Sequence, residues 1–182
     1  MTSPDYPGTR LTDRKELLRR VAPLGKSKGV GDSGTPAAAA FKPEPKGDPG
    51  GDAFMPGGRG SHDNGGLSTK RAAETPEDAY WAYLRSAREP GGRLARGTWG
   101  FTVGEADDLE LPGFDDGGID DAHPVNHATV WFPMPPEPFR QKLKLLHERL
   151  ADDLPSHALK HGCLYRPDDP VADAKSLENA SV

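Results

Sequence analysis

Between Ala22 and Thr75 the chain carries 12 glycines and 6 prolines, a third of that segment. A stretch of this kind is hard to fold into one continuous core. Glycine loses more backbone freedom on ordering than any other residue, and proline has no amide to give to a helix or a sheet ladder. Little apolar surface is at hand to offset that cost. Hydrophobic residues make up 34% of the chain, against about 45–50% in an ordinary globular protein. Within the segment, GDPGGDAFMPGGRG lacks glycine at every third position, which excludes a collagen triple helix. The expectation is a Gly/Pro-rich disordered linker over residues 23–74, so that residues before it form a separate arm and the folded domain follows it.

The arm, residues 1–22, is basic, and LTDRKELLRRV (11–21) predicts a short helix with Thr12 as N-cap. Eleven residues are marginal for a helix standing alone in water. From Thr75 the pattern changes. TPEDAYWAYLRSA offers a Thr N-cap, Pro at the first helical position and two acids in the first turn, with Tyr80, Trp81 and Leu84 at helical spacing. TWGFTV (98–103) alternates, with Trp99, Phe101 and Val103 on one face, and reads as a strand. Residues 104–123 hold eight acids and no Lys or Arg, and read as an acidic loop. HATVWFPM (127–134) predicts a second strand, with His127, Thr129 and Trp131 opposite Ala128, Val130 and Phe132. Phe139, Leu143, Leu146, Leu150 and Leu154 form an apolar helical stripe opened by Pro138 and closed by Pro155. ALKHGCLY (158–165) predicts a third strand. The expected fold class is therefore α/β: a small α-β-β-α-β domain over residues 75–166, with about three strands and helices on one face. A flexible tail is expected at 167–182.

Charge and composition narrow the function classes. Residues 1–75 balance at +3 and residues 76–182 at −8. An acidic folded half lacks the clustered cations that phosphate backbones require, so nucleic acid is compatible only with residues 10–28. The longest apolar runs, Ala37–Phe41 and Ala128–Phe132, are far short of a membrane span. The first residues, MTSPDYPGTR, have no apolar core of a secretory signal, and Cys163 is the single cysteine. The expected location is cytoplasmic, and the wealth of Gly, Ala, Arg, Asp and Pro suggests a bacterial genome.

Six histidines invite a search for chemistry. His123/His127 and His157/His161 share a four-residue spacing, with Cys163 two residues beyond the second pair. Histidines four apart chelate one metal when both sit on a helix. Pro124 and the strand at His127, and the Leu154-Pro155 turn before His157, speak against such a helix here. Zinc on His123, His127, His157, His161 and Cys163 is thus an alternative to the expectation of no cofactor. Asp115, Asp116, Asp120 and Asp121 have carboxylates enough for a hard cation but lack the EF-hand pattern. They read instead as a docking surface for a basic partner. A Cys163/His161 pair lacks a third member. His127, Thr129 and Trp131, on an uncovered sheet face, would complete a partner-binding surface.

Two resemblances can be drawn from these residues. His127-Ala-Thr129-Val and His161-Gly-Cys163-Leu resemble the His-x-Thr/Ser-hydrophobic motif of two-histidine phosphoesterases, with Cys163 where that family has a hydroxyl. That resemblance implies one histidine as base, the other as acid. The run from Trp99 to Pro167, with WGFTV, HATV and GCLYRP, resembles small uncharacterised bacterial proteins of toxin and phage-defence loci. The expectation is a non-enzymatic adaptor, regulatory or immunity-type protein that binds a protein partner through its acidic domain. The alternative is a metal- or histidine-dependent hydrolase, such as a phosphodiesterase, using His127 and His161.

Overall fold

The computed structural model describes residues 8–23, 38–41, 66–86, 92–119, 124–131 and 153–179. In chain order these form β1 (Thr9–Arg10), β2 (Leu17–Pro23), a 3-10 turn (Ala38–Phe41), β3 (Gly66–Lys70), α1 (Pro76–Arg85), β4 (Ala95–Thr102), α2 (Val103–Asp108), β5 (Gly113–Asp115), β6 (His127–Trp131), α3 (residues 153–161) and α4 (Pro170–Asn179). The fold is mixed α/β. Its six described strands make one antiparallel sheet in the order β1-β5-β6-β3-β2-β4.

Residues 11–21 are not a helix, and the sheet is not confined to residues beyond 74. β2 is a seven-residue strand between β3 and β4. Its alternation puts Leu18, Arg20 and Ala22 on one face, facing the Trp99 and Phe101 side chains of β4 in register. Arg20 can be buried there because its guanidinium donates to Ala40 O and Ser68 O, both at 2.9 Å. β3, in the stretch read as linker, pairs with β6 over five residue pairs, Gly66↔Trp131 to Lys70↔His127. The paired ladders satisfy the backbone groups that an isolated eleven-residue helix would leave half-exposed.

Helices lie on both faces, not one. On the first face Leu18, Ala22, Leu67, Trp99, Phe101, Ala128 and Val130 meet Ala40 and Phe41, Val103 and Ala106 of α2, and Leu154 and Ala158 of α3. On the second, Val21 and Ala95 meet Ala79, Tyr80 and Leu84 of α1. α1 begins as its sequence predicts. The Thr75 side chain accepts from Asp78 N while Asp78 reaches back to Thr75 N.

The acidic loop and the C-terminal segments also differ from expectation. α2 and β5 lie within residues 104–123. α2 forms behind a second capping box, Thr102 with Glu105, and its acids are answered by Arg10–Asp107 and Arg14–Asp108 pairs, both 2.6 Å. The first half of the third predicted strand, residues 158–161, is helix. Residues 153–161 are helical through Pro155, and Leu154 and Ala158 share the buried side at i, i+4. Gly162, at φ +75°, ends α3 in the left-handed region. Tyr165 then bridges to the sheet opposite Thr98, and Leu164 N donates to Thr98 O at 2.9 Å. Residues 170–179 form α4, tied to α1 where the Tyr80 hydroxyl donates to Asp173 at 2.9 Å. The helix expected at 138–152 lies outside the described residues. Among the described residues no helix is long and apolar enough to cross a membrane.

Candidate active site

Because antiparallel partners share a sheet face, the β3–β6 register decides what meets on the second face. Ser68 is opposite Thr129, and Lys70 is opposite His127. Phe114 of β5 is also opposite Thr129, and Asp116 follows β5. The result is a chain of short hydrogen bonds across three adjacent strands. Ser68 Oγ lies 2.7 Å from His127 Nε2. His127 Nδ1 lies 2.6 Å from Asp116 Oδ1. Thr129 Oγ1 donates to Asp116 Oδ2 at 2.6 Å.

Hydrogen placement follows from the chemistry of the partners. An ionised carboxylate only accepts, so His127 carries its proton on Nδ1 and donates to Asp116. In the neutral ring Nε2 holds a lone pair, into which the Ser68 hydroxyl can donate. The aspartate is deeply buried at 1% exposure and the histidine at 4%, while Ser68 is half-buried. In so dry a setting the ring orientation and tautomer are tightly held.

Beside this row stand two cations. Arg19 of β2 is opposite Lys70. Burial lowers the Lys70 ammonium below the ordinary lysine range, against the favourable charges of Glu74 and Asp116. Its contact with Glu74 Oε1 is long, 3.8 Å. Burial likewise lowers Arg19, against the charge of Glu74. Arg19 Nη1 donates to Arg71 O at 2.8 Å, while Arg19 Nε and Glu74 Oε2 are buried without a hydrogen-bond partner.

The residues singled out from the sequence fall into separate groups. His127, Thr129 and Asp116 do come together, but as a buried network. His127, Thr129 and Trp131 are 4%, 0% and 9% exposed, so the face they share is not uncovered. Asp115 pairs with Arg71 Nη1 at 2.5 Å. Asp120, Asp121 and His123 lie outside the described residues.

His157 and His161 sit on the other side of the sheet, four apart on α3, because that segment is helix and not strand. Both reach Glu105 of α2, His161 Nε2 at 2.9 Å and His157 Nδ1 at 3.3 Å. Burial pushes Glu105 up, but hydrogen bonds from Thr102 and His161 and the charges of the two histidines outweigh it and hold the carboxyl below its usual range. His127 and His161 therefore do not share a site. Cys163 is exposed, with Sγ directed to Tyr165 O at 3.2 Å. Among the described residues no three His, Cys, Asp or Glu side chains are arranged to hold a metal ion.

Sequence reasoning missed Ser68, Lys70 and Arg19. The one signal for Ser68 and Lys70 is the alternation in GLSTK, where Leu67 and Thr69 face the core and Ser68 and Lys70 face away. The chain matches no protein-family model, no curated protein and no solved structure.

Proposed function

We propose that the protein is a hydrolase or acyl transferase with Ser68 as nucleophile, His127 as general base and Asp116 as the group that orients the histidine. The observation that carries this reading is the Ser68–His127–Asp116 chain of 2.7 and 2.6 Å contacts, with the Ser68 end the least buried. A serine hydroxyl is a weak nucleophile until a base takes its proton, and the base needs the correct tautomer. Both requirements are supported by this arrangement. Ser68 Oγ would attack an ester, thioester or amide carbonyl carbon while its proton passes to His127 Nε2. Collapse of the tetrahedral intermediate breaks the bond to the leaving group, which takes that proton. Water, activated by the same nitrogen, then cleaves the acyl-serine ester and returns the proton to Ser68. The reading is a histidine-dependent hydrolase without His161.

A fluorophosphonate probe on the full chain tests it. Expected is covalent labelling of Ser68, located by mass spectrometry. It should be lost in Ser68→Ala and slowed about a hundredfold or more in His127→Ala and Asp116→Asn, as general-base loss requires. A folded wild type that is not labelled, or labelling that persists in Ser68→Ala, overturns the reading. The network would then be a tie between β5, β6 and β3, and the protein-docking reading would lead.

A further inference from the structure

Lys70 is two residues from Ser68 on the same strand and the same face, a spacing of about 7 Å. It is in register with His127 on one side and with Arg19 on the other. These are two cations in one row with the general base. We propose that Lys70, with Arg19 beside it, is the specificity-determining anion site of this centre, and that the acyl group taken by Ser68 carries a carboxylate at its far end. The assignment rests on the nucleophile reading above.

The case begins with an unsatisfied donor, since Arg19 Nε is buried without a hydrogen-bond partner. Beside it, among the described residues, the Lys70 ammonium has a long 3.8 Å charge contact with Glu74, its side chain 16% exposed. Asp116, the other acid whose charge reaches Lys70, is already held by His127 and Thr129. Glu74 is thus one carboxylate shared by two cations. Arg19 is held in place by its bond to Arg71 O and adds charge beside the ammonium. A substrate carboxylate at Lys70 and Arg19 would supply both cations with an acceptor in charge-assisted hydrogen bonds. The strand repeat sets the Ser68 and Lys70 backbones about 7 Å apart on one face, a separation that a chain of three to five carbons ending in a carboxylate can span.

Paired 4-nitrophenyl esters provide the test, the butyrate and the monoester of glutarate, which differ by the terminal carboxylate. The wild type is expected to favour the glutarate ester in kcat/KM by about tenfold or more, the scale of one charge-assisted hydrogen bond. In Lys70→Met that ratio should fall toward one. Lys70→Arg should keep most of it, and Arg19→Met should reduce it part of the way, with melting curves showing each variant folded. A wild-type ratio near one, an unchanged ratio in Lys70→Met, or no turnover of the glutarate ester overturns the anion site. Ser68 labelling by the fluorophosphonate separates the two ideas. If labelling stands while the preference is absent, only the anion site fails. If Ser68→Ala hydrolyses both esters at wild-type rates, the nucleophile reading fails with it.

Discussion

Thr129 shows how little side chain is needed to set up a charged group. Its hydroxyl has one buried acceptor, Asp116 Oδ2, and the other oxygen of that carboxylate faces His127. Thr129→Val keeps shape and removes the hydroxyl that donates to the buried Asp116 carboxylate. The expected cost is about 1–3 kcal/mol in chemical denaturation, with slower fluorophosphonate labelling at Ser68. Thr129→Ser should recover both. Lys70 predicts the opposite trend in stability. Its folded pKa lies below the unfolded value of 10.5, so the unfolded chain binds that proton more firmly. The stability lost to the buried charge is therefore regained as pH rises through the folded value toward 10.5. Lys70→Met should melt no lower than wild type at pH 7 and should lack that rise when the two are compared between pH 8 and 10.5. Groups kept at a cost to stability are common in sites built for binding.

At the scale of elements, α1, β4 and β6 were legible because each carries its own periodicity. Tyr80 and Leu84 repeat at helical spacing behind Thr75. Trp99 with Phe101, and Ala128 with Val130, alternate in strands and are buried together. In β2 and β3 the alternation is there but weakly marked by apolar residues. Arg19 and Arg20 in β2 read as a charged helical face, and β3 has Leu67 as its single large apolar residue. They are strands because neighbours pair with them, and Arg20 is admitted to the interior by two carbonyls that only the finished fold supplies. The candidate site inherits this division. His127, Asp116 and Thr129 could be singled out from the sequence. Ser68 could not, because only the β3–β6 register brings it to His127. A local tie with its own pH signature joins α2 to α3 through Glu105. The Glu105 carboxyl is held below its ordinary 4.5, so its contribution is complete above that value and is lost as pH falls through the lower folded one. Melting temperature followed from pH 6 to 3 should drop less in Glu105→Gln than in wild type.

The whole molecule is a sheet interleaved from two distant stretches of chain. β2 and β3, from residues 17–70, stand between β4 and β6, from residues 95–131. Among the described residues, β2 is the strand next to β4, and β3 the strand that joins β6 to β2. Leu11, Leu18, Ala22, Ala40, Phe41 and Leu67 supply part of the main core cluster, against Trp99, Phe101, Leu111 and the α2 and α3 residues from the later stretch. A boundary at residue 75 would cut through this core. The 75–182 fragment would keep the β5–β6 pair but leave β4 without its ladder, and Trp99 and Phe101 would face water where Leu18 and Phe41 now pack. Exposed strand edges beside uncovered aromatics favour aggregation over folding. The 75–182 fragment is therefore expected to show no cooperative thermal transition by circular dichroism and no protected amides in β4, whereas the full chain shows both. Mixing the fragment with a 1–74 peptide should restore the transition. A fragment that melts cooperatively alone would mean that β2 and β3 are additions to a core that stands without them, and Ser68 would then be an accessory to the fold and not part of its centre.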